Sequence, residues 1–296
     1  MIDSFEVRRL SGALGAEVSG VNLAELDESS SREVKKLLAE HLILFFPDQA
    51  LSNEQQLSLG EHFGRSEAHP HLENPSLEET RIFELAASQG GIADEWHSDL
   101  SFLPEPALFS IFQMMKCPEV GGDTLWSNLQ LAFEELSPPM RDLCQGLTAL
   151  HNAEPHRRPE AMYVHPVVRM DPETGRKSLF VNEHFTRRIV EMSSEESRLL
   201  LDYLRGWIAS PRFCLRYGWS EGTVALWDNR FTQHFVVNDF EGERVIQRVT
   251  VMGDQPMGVG PPKWPPYRRR GRASDTSRHD DLLKKYLRSQ SERGEA

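Results

Sequence analysis

The run RVIQRVTVMG, from Arg244 to Gly253, mixes β-branched residues with polar ones in short alternation, as a half-buried β-strand does. Seven more short runs of this kind lie between residues 107 and 239, with turn residues between them. They are ALFSIFQMM, DTLWSN, HPVVRM, SLFV, FCLRYGW, TVALWDN and HFVVND. Many short strands at close spacing predict a β-sandwich or jelly roll.

Helices are predicted around these strands. The four segments that predict them are DESSSREVKKLLAEHL, LSNEQQLSLGEHFG, NLQLAFEELS and SEESRLLLDYLRGWIA. Serine residues precede the apolar i, i+3, i+4 pattern in the first segment, and Ser52 or Asn53 is the expected N-cap of the second. The expected fold class is therefore mainly β with flanking helices.

The 296-residue chain has a formal net charge of -12, which argues against a nucleic-acid partner because phosphate backbones need a basic face. No membrane partner is expected, since the most apolar run, LILFF, is too short to span a bilayer and the N-terminus has no signal core. Cys117, Cys144 and Cys214 have neither disulfide-framework nor metal-site spacing, so a reducing cytoplasm is the expected location.

Residues 1–260 are expected to form a single jelly-roll domain with helical insertions, a size that sandwiches and barrels often reach. Residues 261–296 are rich in Pro and Arg and predict a basic, partly disordered or surface-wrapping tail, with a short helix in LLKKYLRS. An alternative is a contact with a polyanion. It would use Arg268, Arg269, Arg270 and Arg272.

The segment EWHSDLSF, Glu95–Phe102, places His97 and Asp99 two residues apart. Side chains at i and i+2 of an extended segment point the same way, so both could reach one ion. A second histidine, such as His234, would complete the two-His, one-carboxylate set of iron(II) oxygenases, which leaves three coordination positions open. The alternatives are a hydrogen-bonded pair in a loop for the first two residues and a half-exposed sheet residue for His234.

Arg244 and Arg248 are four residues apart in the last strand-like run, so their guanidinium groups lie on the same face. Two arginines that face a β-rich core would need anions as partners, and one of them could bind a carboxylate bidentately. The alternative is an outward face with surface salt bridges.

Five segments occur in an order that resembles the taurine dioxygenase (TauD/TfdA) family, over about residues 4–256. They are WHSDLSF, GGDTLWSN, HPVVRMDPETGRKSLFVNEHFTRRI, WDNRFTQH and RVIQRVTVMGD. The resemblance implies a double-stranded β-helix (jelly roll, cupin-like) and a dioxygenase that uses Fe(II), O2 and 2-oxoglutarate as co-substrate. It also implies a homo-oligomer, either a dimer or a tetramer.

The resemblance further implies roles for individual residues. The implied metal ligands, and thus the catalytic residues, are His97, Asp99 and His234. The implied 2-oxoglutarate residues are Thr124 and Arg244, which hold the distal carboxylate, and Trp227, which lines the iron site. The implied substrate residues are Arg248 and His69 for an anionic group, the backbone amide of Leu100 as a third donor, and Phe185 as a pocket wall.

The activity implied by the resemblance is hydroxylation of a small anionic molecule, coupled to decarboxylation of 2-oxoglutarate to succinate and CO2. Taurine or another sulfonate is one substrate, and alkyl sulfates, phosphonates and aryloxyalkanoates are alternatives within the family. The chain departs from the taurine-specific members in two places. Leu72 stands where they have a tyrosine, and Ala93 lies near the position of an asparagine that holds the taurine amine.

Two other classes of protein remain open from the residues alone. One is a metal-binding jelly roll without oxidation, such as a zinc-dependent hydrolase or a non-catalytic cupin. The other is an interaction protein that works through its basic tail. His71 and His184 lie near the matched segments, but nothing assigns them to the metal. His151, His156 and His165 are expected in surface or loop positions as readily as in a site.

Overall fold

The computed structural model describes residues 5–70, 81–89, 93–268 and 278–293. The strands and α-helices in chain order are β1 (Glu6–Arg9), β2 (Ala16–Ser19), α1 (Glu28–His41), β3 (Ile43–Phe46), α2 (Asn53–Glu61), β4 (Ser66–Glu67), β5 (Ile82–Ala86), β6 (Ala107–Lys116), β7 (Thr124–Asn128), α3 (Leu129–Glu134), α4 (Pro138–Gln145), β8 (Thr148–Ala153), β9 (Arg158–Pro166), β10 (Val168–Met170), β11 (Lys177–Leu179), β12 (Thr186–Ile189), α5 (Ser194–Ile208), β13 (Cys214–Tyr217), β14 (Val224–Asp228), β15 (Thr232–Val236), β16 (Val245–Met252), β17 (Met257–Gly258) and α6 (Arg278–Arg293). The mainly β fold class with flanking helices is confirmed.

The predictions for His71, Leu72, Arg269, Arg270 and Arg272 concern residues outside the described ranges.

Contacts divide the chain into two compact units, and the first comprises residues 1–99, 107–128 and 211–253. Its larger sheet has the order β1-β2-β3-β14-β6-β16-β4, with β5 also paired to β16. Its smaller sheet has the order β13-β7-β15. All pairings in the two sheets are antiparallel except that of β2 with β3.

The larger sheet of this unit is apolar on both faces. On one face, Ile111 of β6 and Val249 of β16 pack in a cluster with Leu38 of α1 and Leu59 of α2. On the opposite face, Phe112 and Ile246 pack in a second cluster with residues of the smaller sheet, among them Trp126. Because alternate residues of a strand point to opposite faces, the even-numbered positions of β16 lie on the side of the smaller sheet.

Local capping explains where the first two helices begin. The Asp27 side chain accepts a hydrogen bond from Ser30 N, so the N-cap of α1 is Asp27 and not one of the serines that the sequence favours. Ser52 caps α2 in a capping box with Gln55, as one of the two predicted alternatives.

The second unit comprises residues 100–106, 129–210 and 254–296. It contains two three-stranded sheets, with the orders β12-β8-β9 and β11-β10-β17. The helix predicted in LLKKYLRS lies within α6, where Leu283 packs in a cluster with Leu150 and Val190. None of the helices in the described part of the chain is long and apolar enough to cross a membrane.

Two histidines for which surface or loop positions were considered are core residues of this unit. His151 on β8 is fully buried, and His165 on β9 is 1% exposed. The ring nitrogen Nδ1 of His151 lies 3.1 Å from Ser101 Oγ, and His165 Nε2 lies 2.9 Å from Leu103 O. The prediction was wrong because HNAEPHRRPEAMYVHP looks polar, yet it forms most of an antiparallel strand pair.

Candidate metal and co-substrate site

Three potential metal ligands meet in the first unit: His97, Asp99 and His234. One ligand atom from each residue lies within 4.8 Å of the other two. His97 and His234 form an antiparallel bridge, in which each backbone N–H donates to the other residue's carbonyl, at 3.0 and 2.8 Å. All three are buried, and their exposed fractions are 7%, 3% and 5%. The fold therefore brings together the three metal ligands that were predicted from the sequence.

The ring orientation of His97 suits metal binding. Its Nδ1 lies 2.8 Å from Glu95 O, and a carbonyl oxygen can only accept a hydrogen bond. The proton of the neutral ring is therefore on Nδ1, which leaves a lone pair on Nε2. This Nε2 lies 3.8 Å from Asp99 Oδ1, so it faces the other ligands.

Asp99 is held by two side chains, Ser110 of β6 and Asn229, which lies between β14 and β15. Its Oδ2 accepts from Ser110 Oγ at 2.6 Å, and its backbone N–H donates to Asn229 Oδ1 at 3.1 Å. Asn229 Nδ2 in turn donates to Ser110 Oγ at 2.9 Å. With Oδ2 engaged, Oδ1 is the oxygen that faces the two histidines and also accepts from Arg248 Nη1 at 2.6 Å.

The Asp99 carboxyl is ionised although it is buried. Burial opposes ionisation, but the positive charge of Arg248, with smaller contributions from the two histidines and the Ser110 hydroxyl, holds its pKa well below the usual range. An ionised carboxylate and a histidine with an outward lone pair are the donors that a divalent transition metal requires. The set therefore fits a divalent metal ion.

Arg244 lies just before β16, with 4% of its surface exposed. Its Nε donates to Gly122 O at 3.1 Å and its Nη2 to Thr124 Oγ1 at 3.3 Å. Among the described residues no carboxylate forms an ion pair with it. Burial lowers the pKa of Arg244 to about 10, which still leaves the guanidinium charged at neutral pH. The result is a buried cation that has no anionic partner within the described ranges.

Trp227, on β14, lines the metal ligands. It is 1% exposed, and its ring centroid lies 4.9 Å from that of His234. Its Nε1–H donates to Asn229 Oδ1 at 3.1 Å. These contacts fix the His234 ring and the side chain of Asn229, which accepts a hydrogen bond from the Asp99 backbone N–H.

Arg248 and His69 both contact Phe83 of β5. The Arg248 guanidinium carbon lies 5.5 Å from the Phe83 ring centroid, and the His69 ring centroid lies 5.4 Å from it. The Nε of Arg248 is buried and has no hydrogen-bond partner within the described ranges. Arg248 can therefore donate a further hydrogen bond in addition to its contact with Asp99. The alternative that Arg244 and Arg248 form surface salt bridges on an outward face was wrong.

Leu100 and Phe185 belong to the second unit. Leu100 has a left-handed backbone conformation, with φ of 55°, and is 3% exposed. Phe185 is 2% exposed, and its ring centroid lies 5.1 Å from that of Phe102. The backbone N–H of Phe185 donates to Asn182 Oδ1 at 2.8 Å. Both residues are therefore held in fixed positions within this unit.

Three residues of the site were not predicted from the sequence: Ser110, Asn229 and Trp219. Ser110 is the polar residue in the apolar centre of ALFSIFQMM, and Asn229 follows Trp227 by two positions. Trp219 Nε1 donates to Thr124 Oγ1 at 2.9 Å. A lone polar residue in an apolar strand was the available signal for Ser110, since buried polar groups need hydrogen-bond partners.

The chain matches a known family and several known proteins. The family is described as "Taurine catabolism dioxygenase TauD, TfdA family", and the match covers residues 6–250. An alkylsulfatase of Acinetobacter baylyi is 37% identical over 278 residues, which cover 86% of this chain and 87% of the relative. An alpha-ketoglutarate-dependent sulfate ester dioxygenase of Pseudomonas putida is 34% identical over 278 residues, with coverage of 86% and 91%.

A solved structure shares the fold. It is a taurine dioxygenase from Burkholderia xenovorans, with a TM-score of 0.80 and 34% sequence identity, covering 86% of this chain and 92% of that one. The jelly-roll prediction is therefore confirmed.

Proposed function

The chain belongs to the TauD/TfdA dioxygenase family and is an α-ketoglutarate (2-oxoglutarate)-dependent dioxygenase, and on that premise we propose that it oxidises a sulfate ester at an Fe(II) centre with O2. The proposed metal ligands are His97, Asp99 and His234. The proposed products are an aldehyde and sulfate, together with succinate and CO2.

One observation carries the 2-oxoglutarate part of this proposal: Arg244 is buried, charged and without an anionic partner among the described residues. Burial of an unpaired charge costs several kcal/mol in general, so such a residue is expected to meet an anion in the working protein. The distal carboxylate of 2-oxoglutarate supplies that anion, and the Thr124 hydroxyl lies beside it. A zinc-dependent hydrolase would have no use for this arrangement.

The bound metal would supply oxygen activation and the two-electron oxidation that is coupled to decarboxylation. The protein's own residues set the geometry. Ser110 and Asn229 hold Asp99, Trp227 packs against His234, and Arg244 with Thr124 orients 2-oxoglutarate. Because these groups are fixed before the reactants bind, the reaction gains from orientation.

The atoms balance for a sulfate ester. One oxygen atom of O2 enters the C–H bond next to the ester oxygen, and the other enters succinate. The hydroxylated ester then breaks its C–O bond to sulfate, so the former substrate carbon becomes an aldehyde and sulfate leaves with the proton. No further oxidant or reductant is needed.

Arg248 supports an anionic substrate, because its buried Nε–H is unpaired within the described ranges and hydrogen bonds to charged groups are the stronger ones. Two features favour a sulfate ester over taurine. Two relatives at 37% and 34% identity have names that refer to sulfate esters. In addition, Leu72 stands where taurine-specific members have a tyrosine, and Ala93 lies near the position of the asparagine that holds the taurine amine. His69, the Leu100 amide and Phe185 are further proposed substrate contacts.

The test is a succinate-release assay with Fe(II), O2 and 2-oxoglutarate over a panel of alkyl sulfates, alkyl sulfonates, taurine, phosphonates and aryloxyalkanoates. We expect a medium-chain alkyl sulfate to give the highest kcat/KM, with one sulfate released per succinate. Sulfate release that continues without O2 and 2-oxoglutarate would point to a hydrolase. Highest kcat/KM with taurine would overturn the choice of substrate.

We extend the proposal to location and assembly. Cys117, Cys144 and Cys214 are all free, which suits a reducing cytoplasm. The net charge of -12 supports small-molecule partners over nucleic acid or an anionic membrane surface. A homodimer or homotetramer is proposed, and light scattering during size-exclusion chromatography tests it.

A further inference from the structure

Trp219 follows β13 in the first unit and contacts Thr124, not the metal ligands. We infer that Trp219 is a positioning residue for 2-oxoglutarate, because its indole N–H fixes the direction in which the Thr124 hydroxyl donates its proton. The inference rests on the proposed function and assigns to that site a selectivity for an ionised distal carboxylate.

The hydrogen-bond capacity of Thr124 gives the first argument. A hydroxyl oxygen accepts two hydrogen bonds and donates one. Thr124 Oγ1 accepts from Trp219 Nε1 at 2.9 Å and from Arg244 Nη2 at 3.3 Å, and neither of these donor groups can accept. Both lone pairs are therefore in use, so the hydroxyl can take part in a further contact only as a donor.

The hydroxyl proton has no acceptor among the described residues. Thr124 is 2% exposed, so bulk water does not replace such an acceptor. A buried donor without a partner is costly, and it lies beside a buried guanidinium that also lacks an anion. A ligand oxygen that only accepts would satisfy both groups.

Trp219 is held firmly enough to set this direction. Its ring stacks on Phe112 with centroids 4.7 Å apart and planes inclined by 28°. Edge contacts with Tyr217 at 5.2 Å and Trp126 at 5.9 Å prevent the indole from turning. Tyr217 is also the register partner of Thr124 in the pairing of β13 with β7, so strand pairing sets the distance between the two side chains.

A chemical consequence follows for the ligand. A carboxylate offers acceptor oxygens to both Arg244 and Thr124. The NH2 group of an amide would instead need an acceptor, and Thr124 Oγ1 cannot accept from it while Trp219 Nε1–H uses one of its lone pairs. The Trp219 contact therefore disfavours the 5-amide, 2-oxoglutaramate. When the indole N–H is absent, the Thr124 hydroxyl can rotate and accept, so the discrimination should weaken.

The experiment measures binding of 2-oxoglutarate and of 2-oxoglutaramate by calorimetry, without O2, to the full chain loaded with Fe(II). The variants are Trp219→Phe, Thr124→Val and the double variant. Trp207→Phe is the matched control, because Trp207 is also half-buried and also donates its indole N–H, to Ala132 O at 2.8 Å, but lies in the second unit.

We expect Trp219→Phe to weaken 2-oxoglutarate binding by roughly 5- to 10-fold, the value of one hydrogen bond, and to reduce the preference for the acid over the amide. In the Thr124→Val background, Trp219→Phe should have little further effect, since it acts through the missing hydroxyl. Trp207→Phe should change neither quantity, and KM for the sulfate ester should stay constant in Trp219→Phe.

The inference would be overturned if Trp219→Phe kept the wild-type affinity for 2-oxoglutarate and the wild-type selectivity. It would also be overturned if the losses of affinity were additive in the double variant, because additive losses would indicate that Trp219 acts only through packing. Failure of the wild-type protein itself to bind 2-oxoglutarate would instead refute the proposed function. Melting temperatures of all variants separate a folding defect from a loss of affinity.

Discussion

Arg248 Nη1 lies 2.6 Å from Asp99 Oδ1, so the residue proposed to hold the substrate anion touches a proposed metal ligand. A substrate anion that reaches Arg248 would therefore be placed within a few ångström of the metal position. In the proposed site, this contact would link the orientation of the substrate to the metal through one carboxylate oxygen.

Arg248→Ala is expected to raise KM for the sulfate ester by roughly 10- to 100-fold, because hydrogen bonds to charged groups are worth about 1.5–3 kcal/mol. KM for 2-oxoglutarate should change little. Steady-state kinetics with each reactant varied in turn measures both constants. If only the KM for 2-oxoglutarate increases, Arg248 does not bind the substrate anion as proposed.

Asp99→Ala is expected to remove stoichiometric iron binding and turnover, since the only carboxylate of the buried triad is lost. Metal content after anaerobic dialysis measures the effect. His165→Gln is the control, because it changes a buried histidine outside the triad and should keep the iron. Full iron content in Asp99→Ala would exclude the proposed ligand set.

Arg244→Met is expected to raise KM for 2-oxoglutarate by roughly 10- to 100-fold and to leave KM for the sulfate ester nearly constant. The melting temperature without 2-oxoglutarate should be equal or higher, because a buried charge without an anionic partner is replaced by an apolar side chain. Calorimetry and kinetics test the two parts. A large fall in melting temperature with an unchanged KM would assign Arg244 to the fold instead.

Gly122→Ala is expected to weaken 2-oxoglutarate binding in addition to destabilising the fold. Gly122 has φ of +70°, and an added Cβ would lie 3.0 Å from Pro118 Cγ and 3.3 Å from Arg244 Cδ. Gly175→Ala is the matched control, since Gly175 has φ of +69° and nothing lies within 4 Å of its added Cβ. Both variants should lose about 1 kcal/mol or more of stability from backbone strain, but only Gly122→Ala should raise KM for 2-oxoglutarate. Equal KM values in the two variants would contradict this.

Stability is expected to fall as the pH drops below about 6.5. Burial lowers the pKa of His165 from 6.5 to about 3, and burial also lowers the pKa of His151 well below its ordinary value. Between pH 6.5 and 3 the unfolded chain binds protons that the folded chain does not, so each pH unit costs up to about 1.4 kcal/mol per histidine. Urea unfolding at pH 7.5, 6.5 and 5.5 measures the slope.

The same measurement on His165→Gln provides the check on that assignment. Glutamine keeps a polar side chain but cannot take up a proton near pH 6. The slope of stability against pH should therefore be smaller than in the wild-type protein. An identical slope would mean that other groups cause the acid sensitivity.

The sequence predicted those parts of the site that depend on local spacing. His97 and Asp99 are two residues apart in an extended segment, so their relative directions follow from backbone geometry. Eight of the seventeen strands in the described ranges were predicted for the same reason, since alternation along a strand is a local property. Arg244 and Arg248 were predicted on one strand face, but Arg244 lies before β16, and the pairing of β16 with β6 is irregular between Val245 and Ile246. From the residues alone the distant His234 was one candidate for the third ligand, and the resemblance to a family assigned it to the same ion.

The parts that depend on pairing between distant strands were not predictable. Ser110 reaches Asp99 because β6 pairs with β14, in a register that places Ser110 opposite Trp227. The polar residues of β8 and β9 gave no strand signal, although Leu150 pairs with Val164 in a regular ladder. Trp219 is in a loop after β13, and its contact with Thr124 follows from the tertiary packing of four aromatic rings.

The hydrogen bonds that connect Asp99, Ser110, Asn229 and Trp227 are made entirely by the protein, and β6 and β14, which carry Ser110 and Trp227, pair with each other. The conformational entropy of Asp99 is thus lost when the chain folds, and not when an ion arrives. Capture of an ion at the proposed site would then carry no further entropic cost for ordering this carboxylate.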